Sequence, residues 1–110
     1  MYDITLDHFP PDRLAEIVHW RNDPVVNRYL RQGILTLETV QAWYAKYFSK
    51  AEHQLFAVYA DKTLIGYGML EHIDPIHRNC EIGIVIGNPG YWNKGVGSFV
   101  VKHLTTLAFT

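Results

Sequence analysis

The chain has 110 residues, 48% of them hydrophobic and 14% aromatic, which is enough for one buried core and too little for a second domain, so residues 1–110 are expected to form one unit. Ten Lys and Arg against 11 Asp and Glu leave a formal net charge of −1, which gives no sequence-independent attraction to nucleic-acid phosphates or to an anionic membrane. Cys80 is the only cysteine, excluding an intramolecular disulfide framework and fitting a reducing, cytoplasmic compartment, and no apolar run approaches the roughly 20 residues that span a bilayer. The opening Met1-Tyr2-Asp3-Ile4 also lacks the basic stretch and apolar core of a secretory signal.

From Tyr2 to Phe9 the residues alternate, with Tyr2, Ile4 and Leu6 on one side of a short strand that Pro10-Pro11 stops. Pro11 and Asp12 suit the first turn of a helix whose apolar stripe, Leu14, Ile17 and Val18, runs to about Arg21. Asp23-Pro24 restarts a helix, an N-cap oxygen followed by a ring without an N–H, and Val25, Val26, Tyr29 and Leu30 share its inner face. Gly33 breaks that turn, and Thr36 caps a helix carrying Leu37, Val40, Trp43, Tyr44, Tyr47 and Phe48 at spacings of three and four.

Gln54 to Ala60 and Thr63 to Ile73 are rich in β-branched and aromatic residues, and Asp61-Lys62 is short enough to turn a hairpin between them. A third run, Cys80 to Ile86, follows a polar loop, so three consecutive antiparallel strands are expected. Asn88-Pro89-Gly90 ends the last of them, and Val96, Phe99, Val100, His103, Leu104, Leu107 and Ala108 then mark a helix apolar enough to need a sheet against it. No Gly cap, terminating Pro or returning strand follows before Thr110, so the sequence is expected to stop within a β-α-β unit.

Gly95 and Gly97 stand at the junction of that strand and helix. Free N–H groups in a helix's first turn, together with the helix dipole, suit phosphate oxygens, and a missing Cβ lets a ligand approach. Two glycines two apart also occur in ordinary turns, so their spacing alone leaves both readings open. Two common phosphate motifs are excluded by the letters. A Walker loop needs Lys and then Ser or Thr after Gly95, where Val96 and Gly97 stand, and a dinucleotide fingerprint needs glycine where Val100 stands.

The run Glu81-Ile82-Gly83-Ile84-Val85-Ile86-Gly87, followed by Asn88 to Ser98, resembles the GNAT acetyltransferase strand that ends in a bulge and leads into the coenzyme-binding motif. Gly95 and Gly97 match the small positions of that motif, and Trp92 stands where Gln or Arg is usual. The Trp20 to Pro24 segment, the helix around Trp43 and Leu64 to Gly68 extend the resemblance over nearly the whole chain, toward the branch of ribosomal-protein alanine and nucleotide-sugar N-acetyltransferases. The resemblance implies an α/β (α+β) fold: a mixed, mostly antiparallel sheet with N-terminal helices and a coenzyme-binding helix, here a single domain truncated before its last strands.

It further implies acetyl-CoA as cosubstrate, no metal, and direct attack of a primary amine on the thioester, the amine belonging to a protein N-terminus, a polyamine or an amino sugar. The coenzyme would be held by Trp92, Asn93, Lys94, Gly95, Val96, Gly97 and Ser98, and by Ile84, Val85 and Ile86 through amides freed by the strand bulge. Glu81 matches the position where some members carry a catalytic glutamate. Its alternative is a solvated charge at a strand's start, since a carboxylate deprotonates an ammonium only with a raised pKa or through a water relay. Arg21, Arg28 and Arg31 fall in the helical segments that wall the family's acceptor site, or form a solvated face.

His8, His19, His53, His72, His77 and His103 show no helical i, i+4 ligand pair and read as surface or core residues. Trp43, Tyr44 and Tyr47 have helical spacing and few interleaved bases, which favours packing over base stacking. The rival function is a non-catalytic, truncated module that binds CoA weakly or acts through a homodimer or strand exchange covering an exposed sheet edge.

Overall fold

The computed structural model describes residues 3–27, 35–50, 53–74, 76–92 and 94–108. Four strands, β1 (Ile4–His8), β2 (Gln54–Ala60), β3 (Thr63–Asp74) and β4 (Asn79–Ile86), form one antiparallel sheet in that order. Helices α1 (Leu14–Asn22), α2 (Pro24–Asn27) and α3 (Leu37–Tyr47) separate β1 from β2, and α4 (Val96–Ala108) follows β4. None of the described helices is long and apolar enough to cross a membrane.

Alternation along β2 divides the core between the two faces of the sheet. Leu55 and Ala57, with Tyr67 and Val85, pack under Phe9, Leu14, Ile17, Trp20, Val26 and Val40, which α1, α2 and α3 mainly supply. Phe56, Val58 and Ala60, with Ile65 and Leu70, pack under Val96, Val100 and Leu104 of α4. Gly87 lets α1 lie this close: a Cβ there would meet the Trp20 ring at 2.1 Å. The β2–β3 connection is the two-residue hairpin its length requires, with Asp61 and Lys62 at φ 49° and 71°, the geometry of a type I′ turn.

Local capping holds the helical layer in register. Asp23 Oδ1 accepts from Val25 N–H at 2.9 Å at the start of α2, and Thr36 Oγ1 accepts from Thr39 N–H at 3.2 Å at the start of α3. Asn22 clamps the two ends together: its Nδ2 donates to Leu35 O, and Leu35 N–H donates back to its Oδ1, both at 2.7 Å.

Several expectations are corrected. Pro11–Arg13 form a separate 3-10 turn, so α1 starts at Leu14, and β3 runs on to Asp74. Val25 is exposed while Val26 is buried, because adjacent helical residues point about 100° apart and only one meets the core. The apolar stripes of α3 and α4 are narrower than their spacing suggests. Val40 is the buried residue of α3, with Leu37 and Tyr47 exposed, and α4 buries Val96, Val100 and Leu104 while Phe99 and Leu107 stay exposed. A helix resting on one sheet surface buries a single i, i+4, i+8 line, and the flanking i+3 positions need a second neighbour. Tyr29, Leu30 and Gly33 lie outside the described residues.

Candidate active site

Beyond β4 the chain folds back on itself before entering α4. Asn88 Oδ1 accepts from Gly90 N–H at 2.9 Å, Tyr91 and Trp92 N–H donate to the carbonyls of Asn88 and Pro89, and the Trp92 indole Nε1 donates to Ile86 O at 2.8 Å. Trp92 therefore ties the loop to the end of β4. Its indole N–H is spent on the protein, so its role in this geometry is to position the loop.

Gly95 then takes φ +79°, a conformation that costs an L side chain about 1–2 kcal/mol, and its carbonyl accepts from Phe99 N–H at 3.1 Å as the first bond of α4. The amides of Val96, Gly97 and Ser98 have no backbone acceptor among the described residues, as expected for a helix's first turn. Nothing lies within 4 Å of where a Cβ on Gly95 or Gly97 would stand. Neither a positive φ nor packing requires glycine at position 97, so the open space beside this first turn is the feature its missing side chain preserves. Val96 is buried and anchors the turn, whereas Lys94 and Ser98 are exposed.

The outer edge of β4 continues this polar surface. Gly87 N–H donates to Ile65 O at 2.8 Å, so with the two-residue alternation of an antiparallel ladder Val85 also faces β3, while Ile84 and Ile86 turn their N–H groups to the open edge. The bulge expected near Val85 and Ile86 is absent from the β3–β4 ladder, whose register is regular from Gly66↔Ile86 to Glu71↔Glu81. The outward amides come from the edge position of β4 instead.

The irregularity lies at the other end, where Glu71↔Glu81 is followed by Asp74↔Asn79, so β3 carries one extra residue. His72 within that bulge adopts φ +53°. The bulge re-aims consecutive side chains toward one place, and one ligand atom each of Glu71, His72 and Glu81 lies within 4.8 Å of the others. His72 Nδ1 is 3.2 Å from Glu81 Oε2, and the Glu81 side chain is 69% exposed. Two carboxylates directly across a ladder repel each other, so a cation between them is favoured. The donor set of two carboxylates and an imidazole is also one a divalent ion accepts.

Glu71 borders a cavity of about 310 Å³ under the helical layer, lined also by Ile17, Arg21, Leu35, Thr39, Trp43 and Met69. Arg21 Nη1 donates to Tyr67 Oη at 2.7 Å. Tyr67 is fully buried, and burial pushes its phenol above the ordinary tyrosine value, with Arg21 opposing the shift. The Tyr67 ring stacks on Trp20 at 6.2 Å between centroids. Of the residues singled out from sequence, Gly95 to Ser98 gather at the mouth of α4, Ile84 and Ile86 line the adjoining edge, Arg21 borders the cavity on the other sheet face, and Glu81 stands across the ladder from its Glu71. Asn93, Arg28 and Arg31 lie outside the described residues. Glu71, Tyr67, Trp43 and His72 were not visible as site residues, because nothing local distinguishes them from strand and helix packing.

Comparison with known proteins gives the same architecture. Residues 3–110 match the family model described as an acetyltransferase (GNAT) domain. No curated protein matches the chain. A Vibrio cholerae spermidine N-acetyltransferase solved with CoA and spermine superposes with a TM-score of 0.81 at 24% identity, over 96% of this chain and 63% of that one. A dodecameric form of the V. cholerae enzyme gives 0.70 at 24% identity over 92% and 59%, and a domain from Methanocaldococcus jannaschii gives 0.75 at 22% identity over 99% and 74%. These likenesses show the fold, and the chain spans about three-fifths of the length of the V. cholerae proteins.

Proposed function

The chain belongs to the GNAT acetyltransferase domain family, and on that footing we propose that it binds acetyl-CoA and transfers the acetyl group to a primary amine by direct attack. The observation that carries this is the set of Val96, Gly97 and Ser98 amides, without a backbone acceptor among the described residues, beneath the open space at Gly95 and Gly97. Partial positive charge at a helix start and backbone donors suit a diphosphate. Lys94 and Ser98, both exposed beside that turn, add polar contacts, and the outward amides of Ile84 and Ile86 suit the amide-bearing arm of the coenzyme.

Acetyl-CoA supplies an activated acetyl thioester; the chain supplies charge and proton handling. Glu81 lies three residues before Ile84 on β4, about 10 Å along the strand. With Glu71 opposite, it draws an ammonium toward the edge where the acyl group is held. Glu81 takes the proton that must leave before the amine attacks, with His72 orienting the carboxylate or passing the proton on. Arg21 belongs to the acceptor wall, and a protein N-terminus, a polyamine and an amino sugar all meet the requirement for a primary amine. The reaction needs no metal, and the single free thiol fits a cytoplasmic setting.

The test is titration calorimetry with acetyl-CoA on the wild type and on Gly97→Glu. Position 97 is free of strain and contact, so the variant keeps its melting temperature, and its carboxylate occupies the diphosphate space with like charge. Binding is expected to weaken by about tenfold or more; unchanged affinity would place the coenzyme elsewhere. A non-catalytic module that binds CoA weakly and acts through dimerisation is the second reading, favoured by the unpaired outer edge of β4 among the described strands. Thiol release from acetyl-CoA in the presence of amines separates the two.

A further inference from the structure

Arg21 is a cation that neither the coenzyme seat nor the acid pair accounts for. It sits in the last turn of α1, half-buried, and borders the cavity beneath α3. Its one hydrogen bond among the described residues goes to Tyr67 Oη, a neutral acceptor that burial keeps protonated. It takes part in none of the ion pairs between described residues, although Glu71 borders the same cavity. Its Nε is buried with no acceptor, the sole such side-chain atom among the described residues. The α1 dipole offsets part of the charge, on the order of half a unit, but gives Nε no hydrogen bond.

A guanidinium with its Nε shut from water and no carboxylate partner is costly, and an anion meeting its fork recovers that cost through charge-assisted bonds. The same cavity also carries the reverse sign, with Glu71 on its wall and Glu81 across the ladder from it. We propose that this cavity selects an amine acceptor that also carries an anionic group, a carboxylate or a phosphate, which Arg21 binds while Glu71 and Glu81 receive the ammonium. The proposal rests on the cavity being the acceptor site of an acetyltransferase and narrows the acceptor class. A polyamine would set a second ammonium against Arg21, so Arg21 excludes it. A neutral monoamine would leave Nε without its anion.

Three probes of equal chain length decide the matter by calorimetry on the wild-type chain: an ω-amino carboxylate, an ω-aminoalkyl phosphate and a diamine. At least one anionic probe is expected to bind about tenfold or more tightly than the diamine, the advantage of a hydrogen bond to a charged group, and the better of the two identifies which anion is read. Arg21→Gln should erase the preference, and Arg21→Lys, which keeps the charge but loses the fork, should retain part of it. Melting curves establish that each variant is folded, and the wild-type comparison stands alone where one is not. The proposal is overturned if the diamine binds as well as both anionic probes, if the preference survives Arg21→Gln, or if neither anionic probe binds. Acetyl-CoA titrated into the same wild-type sample is a separate readout. Its failure to bind removes the acetyltransferase assignment while the anion preference is still measured.

Discussion

Gly95 and Gly97 look alike in the sequence and do different things in the structure. Gly95 is needed for a backbone turn at φ +79°, whereas Gly97 has ordinary backbone and keeps space open beside the first turn of α4. Only the second is a clean probe of ligand binding, because a side chain at position 95 would strain the loop as well. Tyr67 shows the converse, a residue that reads as strand packing and turns out to hold the Arg21 guanidinium. Tyr67→Phe leaves that donor unpaired, and a loss of about 1–3 kcal/mol at neutral pH is expected from urea melts. Burial raises the folded-state pKa of Tyr67 above its unfolded value of about 10, so the native state holds the proton longer. The wild type therefore loses stability as pH rises beyond that value, the variant lacks this loss, and the gap between them narrows above about pH 10. A gap that stays constant from neutral to alkaline pH would contradict the buried phenol.

Secondary structure was largely legible because its signals are local: proline and glycine punctuation, capping residues, and apolar spacing of two or of three and four. The width of a buried stripe was not, since it depends on how many neighbours a helix has. Leu104 and Leu107 illustrate this on α4, the first at 0% and the second at 40% exposure. Leu104→Ala is expected to cost about 2–5 kcal/mol, and Leu107→Ala to fall within about 0.5 kcal/mol, read from chemical denaturation. Equal losses would mean that another surface covers the outer flank of α4. The bulge of β3 was likewise hidden, because a histidine at φ +53° leaves no mark in a run of strand-forming residues. That single inserted residue brings His72 to Glu81, within 3.2 Å.

At the scale of the whole molecule, the sheet separates the two halves of the proposed site by face and edge. The cavity lined by Arg21 and Glu71 lies under α1 and α3, α4 covers the other face, and β4 links them at the margin. The outward N–H groups of Ile84 and Ile86 make that margin a pairing surface for another strand as well as for a ligand. Sedimentation at high protein concentration is expected to show self-association, and acetyl-CoA, competing for the same amides, should shift it toward monomer. A monodisperse monomer at the highest concentrations would show that the edge is protected without a partner.

The amino-acid sequence by itself determined the order and type of the elements, the hairpin at Asp61-Lys62 and the glycine-bearing entry to the last helix, because each follows from interactions among neighbours in the chain. Tertiary structure alone decided that Arg21 would meet Tyr67, 46 residues away, and that Glu71 would stand opposite Glu81. Those meetings depend on strand register and on helices crossing a sheet, which distribute charge in space in ways that no local spacing encodes.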